Sequence, residues 1–349
     1  MSTVRETQEI RGQTFSRMDI ARIIDTHEFV DCRFIQVNWT GPVRNTRFLN
    51  CTFDRVTWKN VNLDKVTMFE CVFESVLWDR CKIWQMTANL YRMQDCGLNQ
   101  SSVSFCDFID GEILRLHISG SSLLQCTFMS SKLSLMTVIN CGLYDISVVD
   151  SYQAQCKIVD SKIDRYVTAQ SKVNDLHFER CSGNANRWTE VQMKNVDYIE
   201  CVFPEACWAM TNWQTGFFTD CVLDTAIFCE STLIGIAWRD SPTPNGLFDD
   251  SRLHDCVMLG TNLSNASFRR AVLRDVDWRN VQASHANVEG IHLSNVLLKG
   301  ADFRHANLLG QPENAWSTAD TRGAVFHERP EFDDAVWWQR VSPGTKTPT

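Results

Sequence analysis

No stretch of the 349 residues holds the ~18 to 20 consecutive apolar side chains of a membrane span. The opening Met1-Ser-Thr-Val-Arg-Glu-Thr-Gln-Glu-Ile10 has no apolar core of the kind a secretory signal needs. Proline (8) and glycine (16) are sparse, and no low-complexity or linker-like run occurs, which excludes a disordered chain. A basic excess is missing too. With 34 Lys and Arg against 42 Asp and Glu, the formal charge is −8, so the chain has no cationic footprint for a nucleic-acid backbone, although imitating one stays open. None of the 15 cysteines forms a Cys-x-x-Cys pair, and no phosphate loop, nucleophile elbow or zinc-binding helix motif is present. The expectation is a soluble cytoplasmic protein with no cofactor and no metal, or one exported by a bacterial route that needs no signal peptide.

What the sequence does contain is a period. From Phe48 in steps of five run Phe53, Trp58, Leu63, Met68, Phe73, Trp78 and Ile83, and the register holds to Leu308. Only Gln153, Thr168, Gly183 and Thr243 in that series are not apolar. Helices repeat near 3.6 and half-buried strands near 2, so a period of five means a backbone that turns once per unit and points one large side chain inward each time. Two residues before each centre sits a smaller inward residue, such as Cys51, Val56, Val61, Cys71 and later Ala266, Ala286 and Ala301. Polar side chains fill the rest, as a solvated outside requires. A second period of twenty lies over the first, with Trp58 and Trp78, Cys201 and Cys221, and Phe228, Phe248 and Phe268 in step, so four units make one coil.

Ala301-Asp-Phe-Arg-His305, Ala306-Asn-Leu-Leu-Gly310 and Thr261-Asn-Leu-Ser-Asn265 resemble units of the pentapeptide repeat family, and the resemblance extends over roughly residues 15 to 310. It implies an all-β solenoid, a right-handed quadrilateral parallel β-helix. Coils stacked ~4.8 Å apart would number about fifteen over some 70 Å. The sequence departs from the strictest form of the repeat by placing Cys and Val where Ala is usual and Trp where Leu is usual. The expected domains are irregular N-terminal coils over 1–47, a regular β-helix over 48–310, and a capping coil and tail over 311–349, with Trp337 and Trp338 covering the open end. Four-residue steps from Ile20 to Ile24 and Trp39 to Val43 mark register slips. Gly41-Pro42 and Ser241-Pro-Thr-Pro-Asn-Gly246 read as loops or bulges.

Packing accounts for the cysteines, since twelve take the small inward site and Cys32 takes it in the earlier register. His285 and His305, twenty apart, read as a solvated pair. No catalytic constellation emerges, so the chain is expected not to be an enzyme. A cleft with clustered carboxylates and basic groups would be needed for action on a polysaccharide. With the interior filled, function falls to the faces and ends. Just after the centres of one face lie Leu49, Phe69, Ile109, Met129 and Val149, an outward apolar stripe suited to another protein or a second copy. The expected role is a protein-interaction scaffold, with a secretion-associated effector or adaptor as one setting. The alternative is a DNA mimic that binds and protects DNA gyrase, a role the family resemblance implies. Its basis would be the acidic line Glu70, Asp110, Asp150, Glu190 and Glu230. Against it stand the thin net charge and the basic C-terminal coils, which carry Arg269, Arg270 and Arg274.

Overall fold

The computed structural model describes residues 7–310, 316 and 319–326, and among these no helix occurs. The chain divides into two compact units, Met1–Ser182 and Gly183–Thr349. Both are β-solenoids of stacked parallel strands, with about 14 turns counted over the two.

In the first unit one sheet collects the strands from Gln8–Arg11 through Val167–Ala169, and an 8-stranded sheet runs from Ile24–Asp25 to Lys162–Asp164. The other two faces flow into one another where Arg92–Asn99, Glu112–Ser119, Tyr152–Val159 and Lys172–Glu179 continue through a corner as eight-residue strands. Register follows the period of twenty, with Phe48 beside Met68 and Phe128 beside Val148. The first coils are one residue shorter, pairing Phe29 with Phe48, Phe34 with Phe53 and Ile24 with Val43, as the four-residue steps require. At the other extreme, in the second unit, Leu297 pairs with Asp320 and Asp302 with Val325. Three extra residues are absorbed there, and the units after 318 rejoin in a shifted register. Trp337 and Trp338 lie outside the described residues.

Both inward positions of the repeat are buried almost without exception. Identical or similar rings meet on successive coils, which gives stacked ladders. Trp208 and Phe228 lie 5.0 Å apart, Phe228 and Phe248 4.8 Å, and Phe248 and Phe268 4.5 Å, near the strand spacing itself. Where Ala88 leaves room at a centre, Tyr91 at the next small site supplies the bulk and meets Phe108 edge-on at 5.8 Å. The polar breaks in the series find each other: Gln153 Nε2 donates to Thr168 Oγ1 at 3.4 Å, and Tyr166 Oη donates to Gln153 Oε1 at 3.3 Å. Burial pushes the Tyr166 hydroxyl up to about 12, so it stays a donor. Serines in small inward sites are satisfied by the main chain. Ser151 Oγ donates to the Val149 carbonyl at 2.7 Å and accepts the Ser131 amide at 3.0 Å.

Nearly every fifth residue, two after a centre, has left-handed backbone, including Asn50 at φ 51°, Leu90 at 53° and Phe105 at 56°. This conformation costs a residue other than glycine ~1 to 2 kcal/mol. The inter-coil ladder closes the corner around each of these residues, as when the Asn50 amide reaches the Phe69 carbonyl at 2.9 Å. In the second unit many corners also gain a bond from the small inward residue to the centre three before it, such as Ala266 to Leu263 at 3.0 Å and Ala286 to Ala283 at 3.1 Å. With Asn265 and His285 left-handed at the third position, these are type II turns. The Ser241–Gly246 segment does not bulge out. Pro242 and Pro244 stay in the coil, their carbonyls accepting the Leu223 and Thr225 amides at 3.2 and 3.0 Å.

Candidate functional site

In the first unit the sheet register lines up the outward residues of one face. Leu49 neighbours Phe69, Asn89 follows, and then come Ile109, Met129 and Val149. Phe69 and Met129 are 37% and 42% exposed, while Leu49, Ile109 and Val149 are half-buried. Burial in the solenoid therefore does not hide the two largest side chains of the stripe.

All five residues of the acidic line are exposed. Glu70, Asp110 and Asp150 belong to the first unit and Glu190 and Glu230 to the second. Within the first unit Leu90, Ser130 and Gln170 stand between or beyond the acids, and Ser130 Oγ donates to Asp150 at 3.3 Å. Elsewhere the acids are answered by arginines one coil on. Arg165 meets Asp145 at 2.5 Å, Arg180 meets Asp160 at 2.6 Å, Arg270 meets Asp250 at 2.5 Å, and Arg115 holds Asp95. These hydrogen bonds hold the four aspartates below their usual range.

A groove of about 850 Å³ opens along one corner of the first unit, beside the stripe. Its floor is the small-residue column Gly111, Ser131 and Ser151. A Cβ on Gly111 would sit 2.1 Å from the ring of Tyr91, which lies across that position and brings its hydroxyl to 3.5 Å from Ser131 Oγ. The serine hydroxyls turn to the main chain, so nothing projects from the floor. One rim carries Leu90, Asp110, Ser130, Asp150 and Gln170; the other carries Arg92, Glu112, Lys132, Tyr152 and Lys172. Across that second rim Glu112 takes Lys132 at 3.0 Å and Arg92 at 3.9 Å. The sequence placed Asp110 and Asp150 on an outward line but did not show the groove. Its signal was Gly111, the glycine in a column of small residues, together with the oversized Tyr91.

All 15 cysteines are free thiols, thirteen of them buried, with Cys207 and Cys229 half-buried. Burial pushes Cys81 up to about 11 and Cys256 to about 12, so they stay protonated. His285 and His305 stack with ring centres 4.8 Å apart. A group that sequence reading passed over, His254 with Asp255 and Asp275, has donor atoms within 4.8 Å of one another. Asp275 already takes Asn295 Nδ2 at 2.5 Å and Arg274 at 3.2 Å, so an ion-pair cluster explains it. Among the described residues no helix is long and apolar enough to cross a membrane.

Five-residue units, inward ladders and left-handed corners define a parallel β-solenoid of pentapeptide type. Residues 244–308 match the pentapeptide repeat region family, and the stacked solenoid is the fold of pentapeptide-repeat proteins. No curated protein matches the sequence. Among solved structures, full-length QnrB1, a plasmid-mediated fluoroquinolone resistance protein, is 20% identical over 50% of this chain and 92% of its own, with a TM-score of 0.32. HetL of the cyanobacterium Nostoc sp. strain PCC 7120, a pentapeptide repeat protein involved in heterocyst differentiation regulation, is 14% identical over 73% of this chain and 90% of its own, with a TM-score of 0.22.

Proposed function

We propose that this protein is a non-enzymatic interaction scaffold whose first unit presents the Leu49, Phe69, Ile109, Met129 and Val149 stripe to a partner protein. The observation that carries the reading is that Phe69 and Met129 keep 37% and 42% of their surface exposed on one sheet face, outside the inward core. Full burial from full exposure is worth ~1.5 to 3 kcal/mol per side chain, and with about two fifths or less of each surface still exposed, covering four of them is worth roughly 2 to 4 kcal/mol before the costs of association. A bacterial cytoplasm or a secretion-associated assembly is a setting in which such a scaffold would serve. Mimicry of DNA is less well supported. Arginines pair with the aspartates at Asp95, Asp145, Asp160 and Asp250, and uncharged side chains interrupt the acidic line.

The test replaces Phe69, Ile109 and Met129 by Ser or Thr, none of them an inward centre. Light scattering after size exclusion reads self-association, and cross-linking with mass spectrometry reads partner contacts. The expected outcome is an intact fold with a lost partner or a reduced mass. Unchanged mass and unchanged cross-links would remove the stripe from the reading.

A further inference from the structure

The groove beside Gly111 is a separate feature from the stripe, and its chemistry differs. We propose that it binds a linear, uncharged oligosaccharide lying along the solenoid axis. Three observations select that ligand class.

The first is charge. The rims carry Arg92, Lys132 and Lys172 against Asp110, Glu112 and Asp150, three of each sign. Glu112 is engaged with Arg92 and Lys132, while Asp110 has no ion-pair partner among the described residues. A polyanion would face Asp110 and Asp150, and a polycation would face Lys172, so a neutral ligand avoids both repulsions.

The second is the main chain. The groove's backbone donors are already used: the amides of Glu112, Lys132, Tyr152 and Lys172 reach carbonyls of the preceding coil at 2.9 to 3.0 Å. The amides of Gly111, Ser131 and Ser151 reach serine hydroxyls at 3.0 to 3.4 Å. An extended peptide therefore finds no open ladder to join, which removes the main-chain bonds that strand addition relies on. Recognition must come from side chains.

The third is repetition. Asp110, Ser130 and Asp150 stand on successive coils ~4.8 Å apart, after Leu90 on the same rim, so three consecutive rungs present carboxylate or hydroxyl oxygens. The opposite rim adds the Arg92 guanidinium, the Glu112 carboxylate and the Lys132 and Lys172 ammonium groups at the same intervals, with the Tyr152 hydroxyl accepting from Asn174 Nδ2 at 3.2 Å. A chain of hydroxyl-rich rings matches such a ladder rung by rung, and Tyr152 supplies an aromatic ring beside the floor.

The experiment uses the full-length protein on an array of linear oligosaccharides of two to six residues. Neutral β-1,4-glucan, α-1,4-glucan, β-1,4-mannan and N-acetylglucosamine oligomers are set beside uronate oligomers. Hits are titrated by calorimetry and mapped by amide chemical shifts. The expected result is saturable binding of a neutral oligomer, tightening with length up to four rings and insensitive to salt. Shift changes should be confined to residues 90–92, 110–112, 130–132, 150–152 and 170–172. Asp110→Ala with Asp150→Ala should weaken it tenfold or more with an unchanged circular dichroism spectrum. If that variant does not fold, Asp150→Asn and the shift map of the unaltered protein decide. Overturning results are no neutral oligomer bound, binding of uronates alone, shifts outside the groove, or affinity indifferent to both aspartates. None of these bears on the stripe, so the scaffold reading stands or falls separately.

Discussion

Truncating Phe228 tests whether the inward ladders hold the second unit together. Its ring is fully buried between Trp208 at 5.0 Å and Phe248 at 4.8 Å, and it meets Phe218 and Trp238 edge-on at 6.1 and 5.8 Å. Phe228→Ala removes a ring from a column whose neighbours are fixed to the strand spacing and cannot close over the gap. The expected loss is ~3 to 5 kcal/mol, toward the upper end because relaxation is blocked on both sides. Phe228→Leu keeps most of the volume and should lose less than half as much. Arg252→Ala, an outward change in the same unit, should stay within about 0.5 kcal/mol of neutral. Denaturant titration followed by far-ultraviolet circular dichroism gives the magnitudes. Hydrogen exchange with mass spectrometry should place the loss of protection in the coils around 208–248, because each coil leans chiefly on its neighbours. Equal effects for Phe228→Ala and Arg252→Ala would refute the inward assignment.

Glu179, which takes Lys157 at 2.8 Å and is also held by Arg180, is lowered to about 2 from an ordinary 4.5. Its folded value lies below its unfolded one, so its contribution to stability is present above about pH 4.5 and is lost as the pH falls to about 2. A carboxyl-carbon titration by NMR should show this, with Arg180→Ala raising the value; a Glu179 midpoint near 4.5 in the unaltered protein would contradict it. Leu135 is 39% exposed with φ 56°, so Leu135→Gly should stabilise the fold by about 0.5 to 1 kcal/mol, and a lower melting midpoint would count against the left-handed corner. Thiol titration of the native protein should label at most Cys207 and Cys229 quickly, with the other thirteen appearing only on denaturation.

The core was legible because an inward residue every five leaves the same mark in sequence as in space. Phe228, Phe248 and Phe268 were aligned by counting, and so were the four-residue steps behind the 19-residue offset of Ile24 and Val43. The left-handed corners were not legible. Their occupants include Leu90, Phe105 and Met210, which disfavour that backbone, because the ladder on either side imposes it whatever the residue. The groove was hidden for a related reason. A recess is set by what fails to project, and Tyr91 reaching under Gly111 toward Ser131 is a relation across two coils that no single repeat expresses. The eight-residue strands through a corner, such as Glu112–Ser119, likewise keep the five-residue pattern while merging two faces.

Coils of 19 residues near the start and an offset of 23 between Leu297 and Asp320 stack with the 20-residue majority. Each strand meets partners of similar shape above and below, so the coil is also a natural unit of inheritance. Duplication or loss of sixty nucleotides in frame would add or remove one rung while leaving every remaining side chain on its own face. A gain or loss of one or two residues within a face would instead turn inward groups outward along the rest of that rung. Lineages of such a protein should therefore differ in length by whole coils, and the rungs carrying Asp110 and Asp150 should be gained or lost together with the floor residues that follow them.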